Sequence, residues 1–333
     1  MYNGRRSMAY KGVRLMTVLR AGVAGAGVFG VYHANKYKEA EAAGLVRFVG
    51  IYDLEKSRAE VAAEKLGVKA FGGDEFEAFL AELDVITVAV PAFAHAQVAL
   101  KALAAGVHTY VEKPLAITVE DGDAMVALAA EKGVVLACGH QERAVFEAMG
   151  LYAVPERPLR MEAVRNGTIS TRNLDVSVVL DLMIHDLDLG LTLAAGEAGG
   201  IEVSARFRQE AGYTAVGADE VSAEVKFDDG FVATFAASRM AEARERTMRL
   251  VYPSGEVFID LLNRKFENGT PFDLNPDFAQ ADIARDPLGT SVFRFLDMVA
   301  GQRDKPLATG AEALKALCLA LAIDDAVSGK DAV

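Results

Sequence analysis

The run Asp181-Leu182-Met183-Ile184-His185-Asp186-Leu187-Asp188 sets an imidazole among carboxylates in an otherwise apolar stretch. On a regular helix, positions 181, 185 and 188 share one face. Histidine is the usual proton carrier at neutral pH, and a nearby carboxylate fixes its tautomer and raises its basicity. The same spacing suits a helix N-terminus around a satisfied core histidine, and these residues alone leave both readings open. A second stretch, Glu112-Lys113-Pro114, directly follows an apolar strand. A free lysine has a pKa of about 10.4, and desolvation or neighbouring charge lowers it or lets the ammonium orient a hydroxyl. Pro114 fixes φ and stiffens the turn that aims Lys113. Taken alone, this stretch reads as a surface lysine in a turn.

The third stretch, Gly25-Ala26-Gly27-Val28-Phe29-Gly30, is a G-x-G-x-x-G between an expected strand and an expected helix. Gly25 suits the turn, Gly27 a close backbone approach to a pyrophosphate, and Gly30 helix–strand packing. The helix N-terminus, with Val28 and Phe29 in its first turn, supplies positive potential. Asp53 ends the next strand, about 20 residues on, where an acidic side chain accepts from ribose hydroxyls. A carboxylate there repels a 2′-phosphate, which favours NAD over NADP. Lys56, Ser57 and Arg58 follow closely, as a phosphate site or as a solvated helix start.

Elements that position these residues alternate at first. Strands are expected at Val18–Ala24, Leu45–Tyr52, Asp84–Val90, Val107–Val111 and Val134–Ala137, with helices at Val28–Ala43, Ser57–Leu66, Phe76–Ala81, His95–Ala105 and Thr118–Lys132. That order predicts an α/β Rossmann domain with a doubly wound parallel sheet, over residues 17–139. Ligands of such sheets bind beyond the C-terminal strand ends, which puts Pro91, Glu112 and Lys113 near the nicotinamide end of a dinucleotide.

After residue 140 the rhythm changes. A helical stretch, Val178–Ala195, precedes strands at Ile201–Glu210, Glu220–Phe227, Phe231–Ser238, Thr247–Tyr252 and Glu256–Asp260. Asp228-Asp229-Gly230 and Pro253-Ser254-Gly255 are hairpin turns between them. Residues 140–333 are therefore expected to form an α+β substrate and oligomerisation domain with a largely antiparallel open sheet. Asn263–Leu288 reads as a loop, and Ser291–Ala300 and Ala311–Val327 as closing helices.

Composition narrows the function. The chain has 333 residues, 52% hydrophobic and 25% charged, which suits two packed cores. A net charge of −12 argues against nucleic-acid partners. No apolar run is long enough to span a membrane, and residues 1–16 read as a disordered extension rather than a signal peptide. Cys138 and Cys318 lie far apart in apolar stretches, as free thiols of a reducing, cytoplasmic compartment would. The five histidines, His33, His95, His108, His140 and His185, lack zinc-ligand spacing, so no metal is expected.

Together these stretches resemble the Gfo/Idh/MocA family of sugar and cyclitol oxidoreductases. The resemblance spans almost the whole chain: G-x-G-x-x-G at 25–30, Pro91-x-x-x-His95, Ala104-Ala105-Gly106-Val107-His108 leading to Glu112-Lys113-Pro114, and Asp181-x-x-x-His185. It implies that Lys113 contacts the reacting hydroxyl, that His185 is the base and that Asp181 flanks it. It also implies cofactor contacts from Pro91, His95, Glu112 and Lys113, and a homodimer or homotetramer. Ala92 departs from the Asn or Thr of many members. A narrower likeness, through Gly139-His140-Gln141-Glu142-Arg143 and the 175–188 run, is to the subgroup that oxidises UDP-N-acetylhexosamines at C3, although Ala144-Val145-Phe146 replaces its frequent Phe-Asn-Pro. A UDP-sugar needs cations for its diphosphate. Arg143, Arg165, Arg172 and Arg239 are the candidates, each also readable as an ordinary surface arginine. Inositol or a free sugar as substrate, and a non-catalytic nucleotide sensor, are the other readings.

Overall fold

The computed structural model describes residues 18–169, 174–208 and 215–329; the expected extension at 1–16 lies outside them. Six parallel strands build the first sheet: β1 (Leu19–Ala24), β2 (Val46–Asp53), β3 (Lys69–Gly72), β4 (Val85–Val88), β5 (His108–Val111) and β6 (Leu136–Cys138). Their order is β3-β2-β1-β4-β5-β6. It reverses between β1 and β4, which opens a crevice at the C-terminal strand ends. Helices α1 (Val28–Ala42), α2 (Lys56–Leu66), α3 (Phe76–Ala81), α4 (His95–Ala104) and α5 (Val119–Lys132) make the crossovers.

The local reasons are those of the sequence. Strand β4 is buried at every position, so it reads as an apolar, β-branched run broken by Thr87, as parallel strands covered on both faces do. Helix α1 buries His33, Ala34, Tyr37 and Ala40, a stripe at helical spacing. Thr118 caps α5 by accepting the Asp121 N–H at 3.1 Å. Strand β3 was not expected. Four residues at a sheet edge are too few to show a period.

The second sheet has seven strands: β7 (Arg160–Thr168), β8 (Ala198–Arg206), β9 (Glu220–Phe227), β10 (Val232–Ala241), β11 (Glu245–Tyr252), β12 (Gly255–Asp260) and β13 (Lys265–Asn268). They run β13-β12-β11-β7-β10-β9-β8, antiparallel except between β7 and β10. The central strand β7 escaped the sequence reading because its buried side includes a charge: Met161, Ala163 and Arg165 are buried, while Arg160 and Glu162 are exposed. Beside it, α6 (Glu142–Met149) was also missed, and the expected loop at 263–288 contains β13 and α8 (Asp282–Arg285). The expected helix over 178–195 is a π turn, Val179–Met183, running into α7 (Ile184–Leu193).

Two late helices tie the halves together. Helix α9 (Pro287–Val299) packs on the first sheet, where Val292, Phe295 and Leu296 share a core with Val23, Tyr37 and Tyr110. Helix α10 (Gly310–Val327) places Ala316, Leu317 and Ala320 in the core shared with α5 and α7. Ahead of it, the Ala308 carbonyl accepts from Cys138 N–H at 3.1 Å and Thr309 pairs with Ala137, covering the β6 edge. Among the described residues no helix is long and apolar enough to cross a membrane, and no group of three or more His, Cys, Asp or Glu is placed to hold a metal ion.

Candidate active site

The glycine turn leaves β1 and caps α1. Gly25 has φ +106°, and a Cβ there would sit 2.4 Å from the Ala89 carbonyl oxygen. At Gly30 a Cβ would lie 1.8 Å from the Gly25 carbonyl oxygen, so strand and helix can touch only without one. At Gly27, by contrast, nothing lies within 4 Å. That open backbone, ahead of the first-turn N–H groups of Val28, Phe29 and Gly30, suits a phosphate. Asp53 accepts the Ala26 N–H at 2.8 Å and the Glu55 N–H at 3.0 Å. It therefore locks the turn and keeps lone pairs for a ribose. This donor set fits a dinucleotide.

Pro91 stands exposed beyond β4, and Lys113 half-buried beyond β5. The turn that carries Lys113 is braced from below. Burial opposes ionisation of Glu112, but the His33 contact and the Lys113 charge hold its carboxyl below the usual range. His33 Nε2 donates to it at 2.6 Å and Gln141 Nε2 at 3.1 Å. A Cβ at residue 139 would come within 2.7 Å of this carboxylate, which explains the glycine there. His95 is 2% exposed, with its ring nitrogens 2.7 Å from the Pro114 carbonyl oxygen and 2.9 Å from that of Val90. The Glu112 carboxylate and the His95 ring face inward as supports, their polar atoms taken up by the loops they join, so a cofactor contact from either residue is left to its backbone.

Lys113 crosses to the second half of the molecule. Its ammonium donates to the Asp181 carbonyl oxygen at 2.8 Å and lies 3.5 Å from Asp181 Oδ1. The two side chains are 16% and 17% exposed, so the pair opens on the crevice. Asp181 is at the centre of the π turn, which adds a residue to the helical repeat. Asp181 reaches Lys113, while His185 Nδ1 has no hydrogen-bond partner among the described residues. Asp188 is 1% exposed and held by Arg143, facing the core.

His185 itself is half-buried beside the pair. Burial, then the charges of Lys113 and Arg165, push its pKa well below the ordinary histidine value. It is neutral at pH 7 and able to accept a proton. Loss of kcat/KM toward acid is therefore expected only well below pH 6.5, since the base is disabled as pH falls through a depressed pKa. A pH–rate profile in saturating cofactor tests this; an acid limb at or above 6.5 contradicts it. His140, 2% exposed, lies 3.6 Å from Asp188.

The expected diphosphate arginines fare differently. Arg143 is 5% exposed; Nε and Nη2 donate to Asp188 at 2.8 and 2.6 Å, and Nη1 to Glu312 at 2.9 Å. Arg165 is 2% exposed, donating to Asp186 at 2.8 and 2.7 Å and to Glu142 at 2.9 Å. Burial alone would raise Glu142, but Arg165 holds it below the usual carboxylate range. Both arginines are corrected from substrate contacts to buried struts, since each fork is saturated by carboxylates. Arg239 is buried too, with Nη2 donating to the Val176 carbonyl at 3.0 Å; Arg172 lies outside the described residues. Missed by the sequence reading were His33, Gln141, Glu142 and Asp186. Only the weak signal of charges interrupting apolar periodicity marked the last two.

A surface concavity of about 900 Å³ opens elsewhere, at the start of the first sheet's strands, lined by Arg20, Asp84, Lys101 and His108 among others. Arg20 is already clamped to Asp84 at 2.7 Å. Parallel sheets bind ligands where strands end, so this is not the site.

Residues 19–140 match the oxidoreductase family with an NAD-binding Rossmann fold, and residues 156–257 match the GFO/IDH/MocA C-terminal domain. UDP-N-acetylglucosamine 3-dehydrogenase of Acidithiobacillus ferrooxidans is 34% identical over 302 residues, 86% of this chain and 91% of that protein. Its solved structure superposes with a TM-score of 0.82 at 31% identity, covering 94% of this chain and 99% of that one. The scyllo-inositol 2-dehydrogenase (NAD(+)) of Bacillus subtilis is 26% identical over 78% of this chain and 80% of that protein. A myo-inositol dehydrogenase from Lactobacillus casei, solved with NAD(H) and myo-inositol, shares the fold at 20% identity, with a TM-score of 0.75 over 95% and 96% of the two chains. With matched domains over most of its length and a nucleotide crevice opposite a Lys–Asp–His cluster, the chain belongs to the Gfo/Idh/MocA family: it is a nicotinamide-dependent oxidoreductase of the CH–OH dehydrogenase class.

Proposed function

We propose that this chain oxidises a secondary hydroxyl of a sugar, at C3 of a UDP-N-acetylhexosamine, with NAD as the oxidant. The observation that carries the reading is the Lys113 ammonium at 2.8 Å from the Asp181 carbonyl with neutral His185 alongside. Lys113 belongs to a strand end of the first sheet, and the other two to a helix of the second half. Gly25, Gly27, Val28, Phe29, Gly30, Asp53 and Pro91 are proposed to hold the cofactor. A bound nicotinamide supplies the acceptor for the carbon's hydride. His185 takes the hydroxyl proton, Lys113 steadies the developing alkoxide, and Asp181 fixes the direction of the ammonium. The C–O bond becomes a carbonyl as the C–H and O–H bonds break.

NAD is favoured over NADP because the cations near Asp53 are already neutralised. Lys56 pairs with Glu75 at 2.8 Å and Arg58 with Glu55 at 3.1 Å, and a 2′-phosphate would meet the Asp53 carboxylate instead. The sugar-nucleotide reading draws on the 34% identical relative. An inositol substrate has the 26% identical relative in its favour, together with the loss of Arg143 and Arg165 as phosphate contacts. The unpaired thiols, Cys138 buried and Cys318 half-buried, suit a reducing compartment such as the cytoplasm.

Titrating NAD-loaded protein with UDP-N-acetylglucosamine, myo-inositol and N-acetylglucosamine, while following NADH absorbance, separates these readings. NADH is expected with the nucleotide sugar. Reduction by myo-inositol alone would overturn the proposal.

A further inference from the structure

An acidic protein that grips a phosphorylated sugar must present positive charge near the reacting carbon, and two of the arginines nearest the site are spent on carboxylates. Arg246, on β11, is different. Along this strand Met248, Leu250 and Tyr252 are buried beneath the helices while Arg249 is exposed, so Arg246 begins the buried row. Its cross-strand partner is Arg165 on β7. Strand β10 brings a third arginine, Arg239, to the same covered side. Of the three, Arg246 is the most open, at 35% exposure. Among the described residues it makes no side-chain hydrogen bond, and its single ion pair is a 3.9 Å approach to Glu142. Glu142 is already committed to Arg165, and Asp186 likewise. Two carboxylates thus face two guanidiniums, and the buried one has taken both.

Burial and the neighbouring charges of Arg165 and Arg244, against Glu142 and Asp186, lower the Arg246 pKa. A guanidinium stays charged regardless. Glu142, which Arg246 approaches at 3.9 Å, directly follows Gln141, whose amide donates at 3.1 Å to Glu112, the neighbour of Lys113.

We infer that Arg246 binds an anionic phosphate of the substrate, beside the sugar ring whose hydroxyl faces Lys113 and His185. This rests on the nucleotide-sugar reading and gives it a recognition residue. An arginine fork suits phosphate oxygens, and an exposed edge with free N–H groups pays little desolvation before the ligand arrives. A sugar carboxylate is the other anion such a fork accepts; UDP, which has none, tests phosphate by itself.

The experiment uses the full chain saturated with NAD. Arg246→Gln is expected to raise KM for UDP-N-acetylglucosamine about 10- to 100-fold and to change kcat less than about threefold. UDP binding to the holoprotein, by calorimetry, should weaken by a similar factor. Arg246→Lys should recover part of both, and Arg249→Gln, on the solvent side of the same strand, should change neither. UDP binding as tight in Arg246→Gln as in the unaltered protein overturns the inference, and so does absence of UDP binding to the unaltered protein. Failure of the nucleotide-sugar reading looks different: the unaltered protein then yields no NADH from UDP-N-acetylglucosamine. Failure of this inference alone leaves that turnover intact, with a normal KM in the variant.

Discussion

Replacing Lys113 by Met is expected to lower kcat by about 10³-fold, roughly 4 kcal/mol, the loss seen when a donor to a developing oxyanion is removed. Methionine keeps the length and most of the volume, so the turn and its supports from Glu112 and His95 should persist. NAD affinity, read by fluorescence titration, should change no more than severalfold, because the glycine turn and Asp53 lie on other strand ends. The pH profile adds a second readout. The Lys113 charge is, after burial, the largest cause of the depressed His185 pKa. Without it that pKa rises, and the acid limb of the residual activity should move toward higher pH. A Met variant that keeps a tenth of the activity, or an acid limb that stays put, removes Lys113 from the mechanism.

Arg165→Met should be the costliest substitution for stability, about 3–5 kcal/mol. The guanidinium is 2% exposed and donates to both Asp186 and Glu142. Removing it leaves buried Asp186 and half-buried Glu142 without their main counterion, with half-open Arg246 3.9 Å from Glu142. The sign of the pH dependence follows. In the variant both carboxyl pKa values rise above their unfolded values, so the penalty is full above the ordinary carboxylate range and shrinks as pH falls through it. Chemical denaturation of the variant and unaltered protein at pH 7 and pH 5 reads this directly: the difference in unfolding free energy should narrow at pH 5. A loss under 1 kcal/mol at pH 7 would mean that the triad is not the strut described above. Replacing Arg165, Glu142 and Asp186 together by apolar residues of similar volume should be far less damaging, because no charge is then stranded.

These two substitutions mark different degrees of legibility. The Lys113 turn could be read from the chain because its parts are consecutive: an apolar strand, an acidic residue, the lysine and a proline. The same holds for the glycine turn, where each glycine answers a local demand, and for Thr118 at its helix start. Arg165 could not. Its partners are 21 and 23 residues away in sequence, and a lone arginine in a stretch with no clear period looks like surface. Mistaking it for a ligand contact and missing β7 were one error, since the charge on the buried side hid the alternation that announces a strand. Arg143 failed similarly, with its partners at Asp188 and Glu312.

What the sequence by itself determined is therefore the set of local devices and the order of the elements: a parallel sheet with its glycine turn, Asp53 at the end of β2, Lys113 at the end of β5, and a histidine on a helix of the second half. Those follow from hydrophobic period and backbone conformation, which depend on neighbours along the chain. Tertiary structure decided which charges are spent and which are available. Ion pairing depends on distance in space, and burial multiplies its consequences. Folding placed Asp181 against Lys113, and set the Glu112 carboxylate and the His95 ring as supports of the turn. It neutralised Arg143 and Arg165, and left Arg246 half-open beside them.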